Sequence, residues 1–146
     1  MIDYSELLSE GRIKRGRFSR KQVRDSLEIA KRDLETARAI IERSPEWALN
    51  IAYNAMHQAG RAFMFGAGYR PVGQGHHVTV VRFLEMGLGA QYADMLAIMD
   101  RMRRNRNRAT YDLAGTISRK QAVEAIAVAG EFVPEIGRMV RPSGKK

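Results

Sequence analysis

The sequence predicts an all-α fold, an up-and-down helical bundle of four long helices plus one short helix. Three observations lead there. Apolar residues recur at helical spacing through most of the chain, and no segment alternates polar and apolar residues as a half-buried strand would. Stretches rich in Gly, Pro and Ser fall between the periodic segments. The 146 residues, 45% apolar and 28% charged, suffice for one domain with a real core.

Residues 1–18 read as a basic N-terminal arm around a short helix, Ile2 to Leu8, followed by Gly11-Arg-Ile-Lys-Arg-Gly-Arg17. Its basic half suits either a phosphate backbone or a mobile tail. Ser19 caps the first long helix, which reaches about Arg43 with an apolar stripe of Val23, Leu27, Ala30, Leu34, Ala37 and Ile41. Ser44-Pro-Glu46 opens the second helix, with a capping hydroxyl, Pro in the first turn and an acid near the positive dipole end. Gly68 ends it.

One face of that second helix is Ala48, Ile51, Ala52, Ala55, Ala59, Ala62 and Gly66, and the other carries Tyr53, Met56, His57 and Met64. With little purely polar face, it is expected to be the central helix. Its small residues permit close approach of a neighbour. His57 reads as a packed or hydrogen-bonded histidine rather than a ligand.

Residues 68–75 read as a loop. A shorter helix follows, about His76 to Met86, turning Val78, Val81 and Phe83 or Leu84 inward. After Gly87-Leu-Gly89 the next helix runs from about Ala90 to Arg108 or slightly beyond, and Asp112-Leu-Ala-Gly115 breaks the pattern again. Ser118 and Gln121 form a capping box for a last helix to about Val140. Its inward stripe is Ala122, Ala125, Ile126, Ala129, Phe132 or Val133, and Ile136, with a kink expected at Pro134. The bundle thus spans residues 19–140, and residues 141–146 read as a disordered basic tail.

Charge narrows the function. The net charge of +9 is concentrated at residues 12–24, 101–108 and 138–146, which favours a footprint for a polyanion over uniform scatter. Five arginines fall within Arg101 to Arg108. The apolar stripe Tyr92, Met95, Leu96, Met99, Met102 continues through Arg106, with Arg103 on its flank, while Arg101, Arg104 and Arg108 face water. A charge on an inward stripe is costly unless it is paired or lines a wet cleft, so Arg103 and Arg106 are the candidates for a site.

Other chemistries drop out. The chain holds no P-loop, no dinucleotide fingerprint and no zinc-ligand spacing. It has no cysteine, so there is no disulfide framework and no thiolate. His76 and His77 are adjacent and do not share a helix face, so neither metal nor cofactor is expected. No apolar run is long enough for a membrane span, and the first residues lack a secretory signal, so a cytoplasmic protein is expected. Arginine, asparagine and tyrosine remain clustered at a helix end. Those residue types suit binding or cutting a phosphodiester.

Several stretches together resemble a prokaryotic HEPN domain. They are Ala52-Tyr-Asn-Ala-Met-His-Gln-Ala-Gly-Arg-Ala62, Gly68-Tyr-Arg-Pro71, His77 at the head of the shorter helix, and Arg106-Asn-Arg-Ala-Thr-Tyr-Asp112. The resemblance covers roughly Ser19 to Val140 and is closest to small stand-alone members whose last motif reads Arg, four residues, Tyr. It implies a four- to five-helix bundle that dimerises, so that two copies of the Arg motif meet in one cleft. Many such proteins are metal-independent RNases of toxin–antitoxin and defence systems. Others are nucleotide-binding modules or partners of a nucleotidyltransferase.

Carried over residue by residue, Arg106 matches the motif Arg and Asn107 the polar residue after it, while the motif His falls on Tyr111. Arg101, Arg103, Arg104 and Arg108 are then the expected nucleic-acid contacts. Five residues of straight helix set Tyr111 about 140° from Arg106. The two converge only if the helix breaks near Ala109 or a second subunit supplies one of them. Three classes stay open: an RNA or nucleotide-binding module, an endoribonuclease, and a helical interaction protein with charged surfaces.

Overall fold

The computed structural model describes residues 2–111 and 117–140, and for residues 107–111 the backbone alone. Within them the chain is an all-α bundle. Its elements run α1 (Ser5–Ser9), β1 (Ile13–Arg15), α2 (Arg20–Ile40), α3 (Pro45–Ala67), β2 (Tyr69–Pro71), α4 (His76–Leu88), a 3₁₀ turn at Ala90–Tyr92, α5 (Ala93–Tyr111) and α6 (Arg119–Val140). The break expected at Asp112 to Gly115 and the tail at residues 141–146 lie outside the described residues.

The helix starts follow from local chemistry. Ser19 and Gln22 form a reciprocal capping box at α2, with the Ser19 amide donating to Gln22 Oε1 at 2.9 Å. Ser118 and Gln121 repeat it at α6. At α3 the Ser44 hydroxyl accepts from the Trp47 amide at 3.2 Å, Pro45 fills the first turn, and Gly68 closes the helix at φ 92°. Helix α6 continues through Pro134.

Helix α3 is the centre, packed by α2, α4, α5 and α6. Ala48, Ala52, Ala55, Ala59 and Ala62 are all fully buried, which lets α2 and α6 come close. Helix α2 turns Val23, Ala30, Leu34 and Ala37 into the core, together with Asp33, whose carboxylate accepts from Asn54 Nδ2 at 2.7 Å. In α4 the inward face is Thr79, Val80, Val81, Phe83 and Leu84; Val78, expected inward, is half-exposed. Val81, Phe83 and Leu84 turn inward as expected, and Thr79 and Val80 are buried in place of Val78, with Val80 and Leu84 packing over Gly60 of α3.

Two short strands depart from the purely helical expectation. β1 and β2 pair antiparallel with Ile13 opposite Pro71 and Arg15 opposite Tyr69. The ladder is extended by Val72 N–H donating to the Arg12 carbonyl and Gly16 N–H to that of Gly68. Three-residue strands carry too little alternation to show in a sequence. The N-terminal segment is therefore held down. Leu7 and Ile13 are buried, and the Tyr4 ring stacks on Phe83 with centroids 4.0 Å apart. Glu10 adds a bond from Arg82 of α4 at 2.8 Å.

Candidate functional site

Met102 is buried on the inner face of α5, Asn105 and Arg103 come next around the helix, and Arg106 is half-buried. Arg101 and Arg104 point to water. The division of inward from outward arginines drawn from helical spacing holds for these four. Arg108 belongs to the outward set by spacing, but its side chain, with those of Asn107 and Tyr111, lies outside the described residues. Helix α5 remains helical to Tyr111, so of the two routes to convergence the break near Ala109 does not occur.

Each inward cation has a physical offset. Asp100 ties down Arg103, whose Nε lies 2.9 Å from Oδ1, and also holds Arg104 through Oδ2. The Arg103 side chain is only 20% exposed, so this carboxylate compensates a charge that water reaches poorly. Arg106 lies over the face of Tyr53, its guanidinium carbon 5.8 Å from the ring centroid. Arg101 sits 3.5 Å from Glu124 of α6, an exposed pair worth little.

Tyr53 connects these arginines to two histidines. Its hydroxyl shares a 2.8 Å hydrogen bond with His77 Nδ1, and the His77 and His57 rings stack with centroids 4.3 Å apart. Tyr53 and His57 come from one face of α3 at i and i+4, and His77 from the first turn of α4. The clasp of β1 on β2, followed by positive-φ glycines Gly73 and Gly75, sets where that turn begins.

Burial keeps all three groups neutral near pH 7, and neighbouring positive charge adds to it for the two histidines. Burial pushes the Tyr53 phenol up from its ordinary value, with Arg106 and Arg103 pulling the other way. Burial, aided by His77 and nearby arginines, brings His57 down to about 3. His77 is also lowered, by burial first and then by Arg106, His76 and Arg103. A neutral phenol bonded to a neutral imidazole leaves His77 Nε2 for another partner, as donor or acceptor according to which nitrogen carries the proton.

The arrangement is two part-buried guanidinium groups beside a neutral imidazole, anchored on a buried tyrosine. It can hold a phosphate oxygen and move a proton next to it. Among the described residues no three His, Asp or Glu side chains gather in metal-ligand geometry. No helix is long and apolar enough to cross a membrane.

Sequence reasoning placed Arg106 and Arg103 together but did not select Tyr53, His77 or Asn105 as site residues. The family resemblance had touched Tyr53 and His77 without giving them a role. Asn105, 9% exposed, had only its place between two inward arginines as a signal. The small-residue stripe of α3 had a different fate. Ala55 and Ala59 are fully buried within one chain, so the close neighbour that the stripe permits is a helix of the same bundle.

Comparison with known proteins agrees with this architecture. The family model for the HEPN domain matches residues 23–139. The crystal structure of TT1696 from Thermus thermophilus superposes with a TM-score of 0.63, covering 80% of this chain and 97% of that one at 20% identity. That likeness is one of fold. No curated protein sequence matches the chain.

Proposed function

Since the chain belongs to the HEPN domain family, we propose that it is a homodimeric module that binds RNA or a nucleotide through a phosphate seated between Arg103, Arg106 and His77. The observation that carries the reading is the half-buried Arg106 laid over Tyr53, which is itself bonded to His77. A cation kept out of bulk water attracts phosphate more strongly than one on the surface. Arg101, Arg104 and Arg108 supply non-specific attraction along the strand.

The dimer joins two such sites in one cleft, with Tyr111 of one copy approaching Arg106 of the other. The straight course of α5 favours this, because one helix keeps the two residues apart. The α3 alanines take no part in it. In its cellular setting the module serves in a toxin–antitoxin or defence system alongside a nucleotidyltransferase partner.

A second reading is a metal-independent endoribonuclease, and His77 favours it by bringing an imidazole near Arg106 in a chain whose motif carries Tyr111 in place of His. In that reaction the ribose 2′-oxygen forms a bond to phosphorus as its proton passes to a base. The bond from phosphorus to the 5′-oxygen breaks, and that oxygen takes a proton. His77 is neutral near pH 7 and can accept the first proton. The arginines would neutralise the charge gathering on phosphorus.

One experiment separates the readings. Labelled single-stranded RNA is incubated with wild type, Arg106→Ala and His77→Ala in EDTA, and both binding and cleavage are followed. The binding module leaves RNA intact in all three, while Arg106→Ala weakens binding about tenfold or more. Cleavage by wild type that is lost in Arg106→Ala and depressed in His77→Ala selects the nuclease. Binding or cleavage undiminished in Arg106→Ala refutes the site. Light scattering that gives the mass of a single chain removes the dimer.

A further inference from the structure

A groove of about 380 Å³ lies between α2 and α6. Its floor is apolar: Val23 and Leu27 from one wall, Val133, Pro134 and Val140 from the other. Its rim is cationic, with Arg20, Arg24 and Lys31 along α2 and Arg138 on α6, against Glu28 as the one acid lining it. Glu28 is 3.6 Å from Lys31, and Arg138 pairs with Glu135 at 3.2 Å; both pairs are exposed. Arg24 makes no ion pair among the described residues.

We propose that this groove docks an acidic amphipathic helix of a partner protein. From Arg20 to Lys31 the α2 wall runs about 16 Å, three helical turns. That length suits a helix laid along the groove with apolar residues at i, i+3/i+4 and i+7 on the floor and carboxylates toward the rim. Charge disfavours two other occupants, and the apolar floor a third. The chain beyond Val140 reads Arg-Pro-Ser-Gly-Lys-Lys, whose cations the rim repels. A second copy meeting the first through this face would oppose like charges. A nucleic-acid backbone matches the rim but leaves the apolar floor unused.

The probe is a fluorescein-labelled, hydrocarbon-stapled helical peptide with leucines at i, i+3 and i+7 and glutamates elsewhere. The control is the same peptide with lysine for glutamate. The acidic peptide is expected to bind the full chain with a micromolar Kd, and the basic one not at all. Arg24→Glu combined with Lys31→Glu, both exposed positions, should weaken binding at least tenfold. The same charge change at Lys14 and Arg70, away from the groove, should have far less effect. Leu27→Glu, confirmed folded by its thermal transition, tests the floor and should also cost tenfold. The inference is overturned if the acidic peptide binds more weakly than about 1 mM. Equal losses from the two charge pairs, or displacement of the peptide by single-stranded RNA, overturn it as well.

Discussion

His57 makes the stability of this bundle sensitive to acid in a range where most carboxylates are still ionised. The residue is 7% exposed, its Nδ1 has no hydrogen-bond partner among the described residues, and its ring lies against His77. Its folded pKa of about 3 compares with an ordinary 6.5. Between those values the unfolded chain binds a proton that the folded chain refuses. Stability is therefore complete above pH 6.5 and is lost as the pH falls toward 3, at about 1.4 kcal/mol per pH unit. From pH 6.5 to 4 the loss is about 3 kcal/mol, or on the order of 10 °C in melting temperature for a chain of this size. His57→Leu removes the titrating group and the unsatisfied nitrogen together. The variant should be at least as stable as wild type at pH 7 and markedly more stable at pH 4. Thermal unfolding of both proteins across pH 4 to 7 measures the gap. An identical acid shift in wild type and His57→Leu would refute the assignment, since the remaining carboxylates are common to both.

Two further outcomes test packing and charge. Gly60→Ala puts a methyl 2.6 Å from Val80 Cγ1 and 3.0 Å from Leu84 Cδ1, and the stiff valine cannot rotate away. After the gain in helix propensity, a net loss of about 1–2 kcal/mol is expected in denaturant unfolding. RNA affinity measured against salt should fall steeply, and replacing Arg101, Arg104 and Arg108 with alanine should flatten the logarithmic slope by about 2. A slope that does not change would mean those arginines face away from the strand.

The parts of the fold that local chemistry decides were readable in the sequence. Ser19 with Gln22, Ser44 with Pro45 and Ser118 with Gln121 mark helix starts that satisfy their own amides, and Gly68 marks an end. The half-buried place of Arg106 was readable too, because helical phase passes unbroken from Met102 to it. What stayed hidden depends on elements distant in the chain. Pairing of Ile13 with Pro71 rests on tertiary contact, not on any pattern within either strand. The bond from Tyr53 to His77 needs α4 to arrive in one rotational setting, which Gly60 and Val80 decide. Ala55 and Ala59 were ambiguous for a related reason, since a small-residue stripe looks the same whether the close neighbour is α2 or a second subunit.

The β1–β2 clasp also imposes an order on events during folding. The first residues of the chain have no local element to complete them, and their partner emerges only after two long helices have been made. Closing that long loop is entropically costly until α2 and α3 have paired and shortened the gap. The N-terminal strap is thus a late arrival, and the turn that carries His77 acquires its final position with it. Once α2 and α3 have paired, Tyr53 and His57 would stand close to their mature places before the imidazole beside them is locked.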